Sequence, residues 1–147
     1  MSEVERIYYE SGALRSEVYT INGIYNGEYR EYYENGQLKI IYYYVNSERN
    51  GEYKSYWPNG QLKELCTYVD NKLNGEHKQY YENMQLECIT TWLDGKINGA
   101  HISYYENGQL WNKCSYIGHN LDGKYIEYDE LGNLIENSTY VNGIKFD

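Results

Sequence analysis

The chain has 147 residues, a formal net charge of -9 and 21 tyrosines against one phenylalanine and one proline. The acidic balance excludes DNA, RNA and anionic lipid as expected partners, because long-range repulsion opposes each of these polyanions. Tyrosine must supply most of the apolar burial, and its hydroxyl needs water or a hydrogen bond, so the composition favours a thin structure over a thick oily core.

The opening MSEVERIYYE has neither the basic segment nor the apolar run of a signal peptide. The longest apolar run, Ile40–Val45, is too short to span a bilayer. A soluble, intracellular, cytoplasmic protein is the expectation. From Tyr8 onward one phrase recurs. YYESGAL at Tyr8–Leu14 returns as YYENGQL at Tyr32–Leu38, YWPNGQL at Tyr56–Leu62, YYENMQL at Tyr80–Leu86, YYENGQL at Tyr104–Leu110 and YDELGNL at Tyr128–Leu134. Gly12, Gly36, Gly60, Met84, Gly108 and Gly132 keep a step of 24, and so do Gly27, Gly51, Gly75, Gly99 and Gly123. A fixed period without insertions marks a repeat architecture. The expected organisation is a single repeat domain over 1–147, with repeats near 3–26, 27–50, 51–74, 75–98, 99–122 and 123–147.

Within the repeat Gly51–Leu73, EYKSYW and LKELCTYV are short aromatic or β-branched runs separated by Pro-Asn-Gly, and DNKLNG closes the unit. Strand, tight turn, strand, longer turn is the direct reading. Asn-Gly at the tip predicts a type I′ turn, with positive φ at both central residues. Asn35-Gly36 then sets Glu34 opposite Gln37, Tyr33 opposite Leu38 and Glu31 opposite Ile40. Tyr29, Tyr33, Leu38 and Tyr42 share one face, and Tyr32, Lys39 and Tyr43 the other. The glycines from Gly27 to Gly123 sit in the second turn and need positive φ or close backbone approach. A glycine about every twelve residues argues against helix. About twelve strands are predicted, in an all-β, elongated, single-layer antiparallel meander of about six consecutive hairpins, twisted in the right-handed sense. Residues 1–9 and 135–147 supply terminal strands, guarded by Glu3, Glu5 and Arg6 at one end and Lys145 and Asp147 at the other.

Few residues suggest chemistry. Cys66 and Cys114 occupy one column roughly 19 Å apart by strand spacing, and Cys88 is roughly 10 Å or more from each. A disulfide needs Cα atoms within about 7 Å, so three free thiols are predicted. His77 and His101 stand in the column of Tyr29, Tyr53 and Tyr125, about 10 Å apart, too far to share a metal. They read as ring replacements in an aromatic ladder, and His119 as a turn residue. Cys66 and His77 lie on successive strands within reach of each other, yet no third group nearby in sequence activates them. No catalytic residue, metal ligand or cofactor site is predicted, and the chain is not expected to be an enzyme.

The pattern YYENGQLKIIYYYV…NGEYKSYW resembles the MORN repeat, and more closely the variant unit in which YYENGxL is followed by NGxxxxY. Bacterial chains of this variant are often grouped under an antitoxin-like label, and similar arrays are abundant in giant DNA viruses. The likeness runs from about Tyr8 to Gly143. It implies a sheet of hairpins and a scaffold or binding role without catalysis. MORN arrays are also linked to phospholipid binding and dimerisation, but the basic residues for lipid are scarce here. Three departures stand out: Met84 replaces a turn glycine, Asp129 the second aromatic of the phrase, and Leu131 the usual Asn.

The leading expectation is a protein–protein interaction scaffold that presents an acidic, tyrosine-rich sheet face, or self-associates through it. An antitoxin-like inhibitor of a partner enzyme is the alternative, and a membrane tether is disfavoured by the charge. The candidate partner-binding residues are Tyr33, Trp57, Tyr81, Tyr105, Trp92 and Trp111, since Tyr and Trp dominate binding hot spots.

Overall fold

The structure, a computed structural model, describes residues 1–146. Asp147, one of the predicted edge guards, lies outside the described residues. The chain forms two compact units, Met1–Lys72 and the segment from Leu73 onward. Among the described residues there are sixteen strands and no helix.

In the first unit β1 (Ser2–Tyr8), β2 (Leu14–Ile21), β3 (Ile24–Tyr32) and β4 (Leu38–Val45) pair in order. A two-residue β5 (Glu48–Arg49) pairs with β4, and β6 (Gly51–Tyr56) and β7 (Leu62–Val69) continue the sheet. The short β8 (Lys72–Leu73) lies at the division between the units. The second unit runs through β9 (Gly75–Tyr80), β10 (Leu86–Leu93), β11 (Lys96–Tyr104) and β12 (Leu110–Ile117). There β13 (Asn120–Leu121) pairs with β12, and β14 (Gly123–Tyr128), β15 (Leu134–Val141) and β16 (Ile144–Phe146) follow. Each unit is an open antiparallel meander of hairpins, as the repeat pattern predicts. The strand count exceeds twelve because Asn50, Asn74 and Asp122 each interrupt a strand and leave a two-residue piece, and because β16 follows the Asn142-Gly143 turn as a further strand.

The turns differ from the expectation. At the tip, Tyr33 N–H donates to Gln37 O at 2.8 Å and Gly36 N–H to Tyr33 O at 2.9 Å. Gly36 is left-handed at φ 84°, but Asn35 is not, and its Oδ1 accepts Gln37 N–H at 3.0 Å. The tip is therefore a type I turn closed by a glycine bulge, a three-residue loop rather than a type I′ turn. The type I′ turns lie at the other end of each hairpin, where both residues have positive φ: Asn22-Gly23, Asn46-Ser47, Asp70-Asn71, Asp94-Gly95, Gly118-His119 and Asn142-Gly143. The glycines from Gly27 to Gly123 do have positive φ, but they follow these reversals and mark a kink in the outgoing strand.

Register follows from the tip. Tyr32 faces Leu38, one step away from the predicted pairing, and a bulge then restores Glu31 opposite Ile40 and Tyr29 opposite Tyr42. Tyr29 and Tyr42 share a face, as predicted, with ring centroids 4.7 Å apart. Tyr32 and Tyr43 share the opposite face, where their hydroxyls donate to Glu17 and Glu28. Lys39 is a correction. The bulge turns it to the Tyr29 side, where its Nζ lies 2.8 Å from Glu31 Oε1 and 5.8 Å from the Tyr33 ring centroid.

Hydrogen bonds tie hairpin to hairpin at both ends, from side chains at the tips and from the backbone at the type I′ turns. The hydroxyls of Tyr9, Tyr33, Tyr81 and Tyr105 donate to the carbonyls of Tyr32, Tyr56, Tyr104 and Tyr128 at 2.7–2.9 Å. At the type I′ end, Ser47, Asn71, Gly95, His119 and Gly143 each donate a backbone N–H to a carbonyl of the preceding repeat. Asp129, in the same column as these tyrosines, closes its own tip, its Oδ1 accepting from Leu131 N–H and Asn133 N–H at 2.9 and 2.8 Å.

Met84 keeps the tip geometry that its neighbours reach with glycine. Its φ is 71°, its N–H donates to Tyr81 O at 3.0 Å, and Asn83 Oδ1 accepts Gln85 N–H at 2.9 Å. A side chain held left-handed costs roughly 1–2 kcal/mol, partly offset by the smaller unfolded-state entropy of a non-glycine. Met84→Gly is thus expected to raise stability by about 1 kcal/mol, read as a higher urea midpoint at unchanged slope.

Candidate functional site: the aromatic face

Alternation along the strands separates two faces. In the first unit Arg6, Glu17, Arg30, Ile41 and Lys54 form one row of cross-strand partners. This face is held by charge: Arg6 Nε lies 3.2 Å from Glu17, and Arg30 contacts both Glu17 and Glu28. On the other face Glu5 faces Val18, Val18 faces Tyr29, and Tyr29 faces Tyr42, while Tyr53 faces Cys66. Tyr42 and Tyr53 rings stack at 5.8 Å, Tyr53 meets Tyr68 edge-on at 5.9 Å, and the Arg49 guanidinium lies 4.2 Å from the Tyr68 centroid. Burial pushes the Tyr53 phenol up to about 12 and raises Tyr42 further, so the ladder stays neutral.

The same rows cross the second unit. Thr90 faces both His77 and His101, and His101 faces Cys114. Thr90 Oγ1 lies 2.7 Å from His101 Nδ1, and burial lowers the His101 pKa, so the ring is neutral. His101 and Tyr116 meet edge-on at 6.3 Å, which places the histidine within the aromatic ladder. Cys66 and Cys114 are buried beneath these rings and Cys88 is half-buried, all three as thiols. Burial pushes the Cys66 thiol up to about 12 and Cys114 in the same direction, away from the thiolate form a nucleophile needs.

The six candidate partner residues do not form one patch. In the second unit Tyr81, Tyr105 and Trp111 lie at the tip end, whereas Trp92 lies toward the type I′ end, between His77 and His119 at centroid distances of 6.3 Å. Trp92 Nε1 is buried without a hydrogen-bond partner. In the first unit Tyr33 spends its hydroxyl on Tyr56 O, and Trp57 lies 4.3 Å beneath Lys63 Nζ.

One column escaped the sequence reading. Arg15, Lys39 and Lys63 follow the leucine of the phrase, and each places its cation over the tip ring of its own repeat, Tyr9, Tyr33 or Trp57. The fifth repeat puts Trp111 there, stacked on Tyr105 at 5.6 Å, 41% exposed, with Nε1 donating to Glu127 at 3.2 Å. The step of 24 could have revealed this column. Beside Trp111 lies a hollow of about 200 Å3 lined by Glu87, Cys88, His101, Ser103 and Asn112. Ser103 is 5% exposed and its hydroxyl has no partner, while Asn112 is also buried. Small polar residues inside strands carry no sequence signal for such a hollow.

A profile of the MORN repeat variant matches residues 4–22, 25–46, 49–70, 97–117 and 121–142, well over half of the chain. The chain belongs to the MORN repeat family. The unmatched stretch between these segments contains Met84, yet the MORN hairpin forms there too. No curated protein matches the chain. MORN repeats form a non-enzymatic repeat family and are generally scaffolds for protein or membrane interaction. No helix among the described residues is long and apolar enough to cross a membrane.

Proposed function

We propose that this MORN array is a non-catalytic scaffold that holds a protein partner through an acidic, tyrosine-rich sheet face, with Trp111 as an anchor. The observation that carries the reading is the break at Trp111. Three earlier repeats cover the tip ring with a cation, which shields it and keeps a charge in water. The fifth covers it with a half-exposed indole beside a hollow whose floor holds an unpaired hydroxyl. An exposed tryptophan next to a concavity is the composition of a binding hot spot. The charge of -9 selects partners with basic surfaces and speeds their approach. High thiol pKa values at Cys66 and Cys114 argue against nucleophilic chemistry on the same face, and thiols suit a reducing compartment.

The test is capture of partners from the native host by the wild type and by Trp111→Ser and Trp57→Ser. Partners held by the wild type should fall at least about tenfold with Trp111→Ser, the loss of one hot spot of ~1.4 kcal/mol or more. Both variants should keep wild-type β-type circular dichroism. Retention of every partner by both variants would remove the aromatic anchors from the mechanism.

A further inference from the structure

The first repeat departs from its successors on the aromatic face. Glu5 occupies the column of Tyr29, Tyr53 and Tyr125. Thr20 occupies the column of Tyr44, Tyr68, Trp92, Tyr116 and Tyr140, and Val18 a column in which Tyr42 is the one ring, the others being Cys66, Thr90, Cys114 and Ser138. The rings of β3 and β4 therefore end against a low floor on β1 and β2 instead of against more rings. A cavity of about 240 Å3 opens there, lined by Tyr25, Tyr29, Tyr42 and Tyr44, with Val18 beneath and Glu5 at its side.

The rings form two walls. Tyr29 and Tyr42 are stacked with 25° between planes, and Tyr44 stands at 85° and 72° to them. Tyr25 leans on Tyr44 at 5.3 Å and 33°. The hydroxyls of Tyr42 and Tyr44 lie 3.0 Å apart, and that of Tyr29 donates to Glu31 at 3.4 Å. With those hydroxyls engaged, the cavity offers ring surface, whose quadrupole attracts cations, one carboxylate, the Ser16 hydroxyl and the aliphatic Ile7 and Val18. The same face already holds a cation of the fold, the Arg49 guanidinium over Tyr68.

We propose that this cavity binds an alkylated ammonium group, either a methylated lysine side chain on a protein or a free quaternary amine. A bare ammonium is strongly hydrated and would need several acceptors to replace its water, whereas the lining adds to the phenols only the Glu5 carboxylate and the Ser16 hydroxyl. An alkylated cation gives up less hydration and fills the space between ring walls. At about 240 Å3 the cavity lies below the roughly 300–1,000 Å3 of drug-sized sites, so it takes a head group rather than a whole molecule. The competing account is that the first repeat only caps the array with small and polar residues, as terminal repeats do. That account predicts no ligand.

The experiment titrates the full-length protein by calorimetry with choline, with its neutral isostere 3,3-dimethylbutan-1-ol, and with a trimethyllysine peptide and its unmodified lysine counterpart. Choline should bind saturably, and the isostere at least about tenfold more weakly, since one desolvated cation–π contact is worth that factor. Glu5→Gln, at an exposed position that should not disturb folding, should weaken choline about threefold or more, and Tyr25→Leu should weaken it too. A trimethyllysine peptide that binds better than choline and than its unmodified form identifies a protein side chain as the source. Equal binding of peptide and choline identifies the free amine. The proposal is overturned if choline shows no saturation up to about 10 mM, beyond the millimolar affinity of a weak head-group site. It is also overturned if the isostere matches choline, or if both variants bind like the wild type. Because the Trp111 variants leave this cavity intact, failure of either reading leaves the other standing.

Discussion

Gly99→Ala is expected to lower stability by about 2–4 kcal/mol, more than a glycine-to-alanine change at a hairpin tip such as Gly36. Gly99 has φ 119°, outside the left-handed helical well that a non-glycine residue can tolerate. An added Cβ would lie 3.0 Å from Thr91 Cβ and 3.2 Å from Thr91 Cγ2. These atoms sit next to the backbone and cannot swing away as the end of a long side chain can. Backbone strain of roughly 1–3 kcal/mol and overpacking of a similar size act together. The site explains the need. Around Thr91 the pairing slips from Thr90 opposite His101 to Trp92 opposite Ile97, and β11 passes through the kink unbroken. Gly27, with φ 124° and Tyr19 Cβ at 3.0 Å, holds the equivalent kink in β3. The comparison is Gly36→Ala, where φ is 84° and nothing lies within 4 Å, so about 1 kcal/mol is expected. Urea midpoints of the two variants check the difference. Equal losses would mean that close approach to the preceding strand is not what Gly99 serves.

The architecture was legible because a period of 24 residues survives every substitution, and hairpins follow from glycine and asparagine at fixed offsets. The turn types were not legible, for a local reason. Asn-Gly suits a type I′ turn, but it also suits the last two positions of a type I turn with a bulge, where the asparagine side chain caps the following N–H. Asn35 takes the second form because Tyr33 and Gln37 close the loop. The true type I′ positions hid behind varied letters, from Asn22-Gly23 to Gly118-His119, and Ser47 and His119 are not among the Gly, Asn and Asp that dominate such turns. Two offsetting shifts, the longer tip and the bulge at Lys39, left Tyr29 opposite Tyr42, so the deeper register was read correctly from a wrong turn. The candidate site was legible only in part. Aromatic columns can be counted along the chain, but the cavity beside Glu5 arises where small residues of one repeat meet rings of the next, and Ser103 becomes notable only once buried.

Replacing Tyr9, Tyr33, Tyr81 and Tyr105 together by phenylalanine should cost about 2–6 kcal/mol. Each change keeps the ring and removes one hydroxyl that donates to a carbonyl 23 residues ahead. A half-buried hydrogen bond of this kind contributes about 0.5–1.5 kcal/mol, and within each unit the paired positions, Tyr9 with Tyr33 and Tyr81 with Tyr105, lie about 10 Å apart by strand spacing, far enough for near-additivity. Tyr43→Phe is the control. Its hydroxyl also donates, to Glu28 at 2.7 Å, but at an exposed position where water replaces the lost partner, so less than about 0.5 kcal/mol is expected. Chemical unfolding of the quadruple variant, the singles and the control separates two accounts of how MORN hairpins adhere. If the tyrosines act as clamps, the quadruple variant loses roughly the sum of the singles while its circular dichroism before unfolding is unchanged. If ring packing alone joins the hairpins, the quadruple variant will match the Tyr43→Phe control. The column gives up tyrosine at Trp57, which keeps the ring, and at Asp129, where the side chain turns back to close its own loop instead of reaching forward, so only the measured losses decide between clamp and packing.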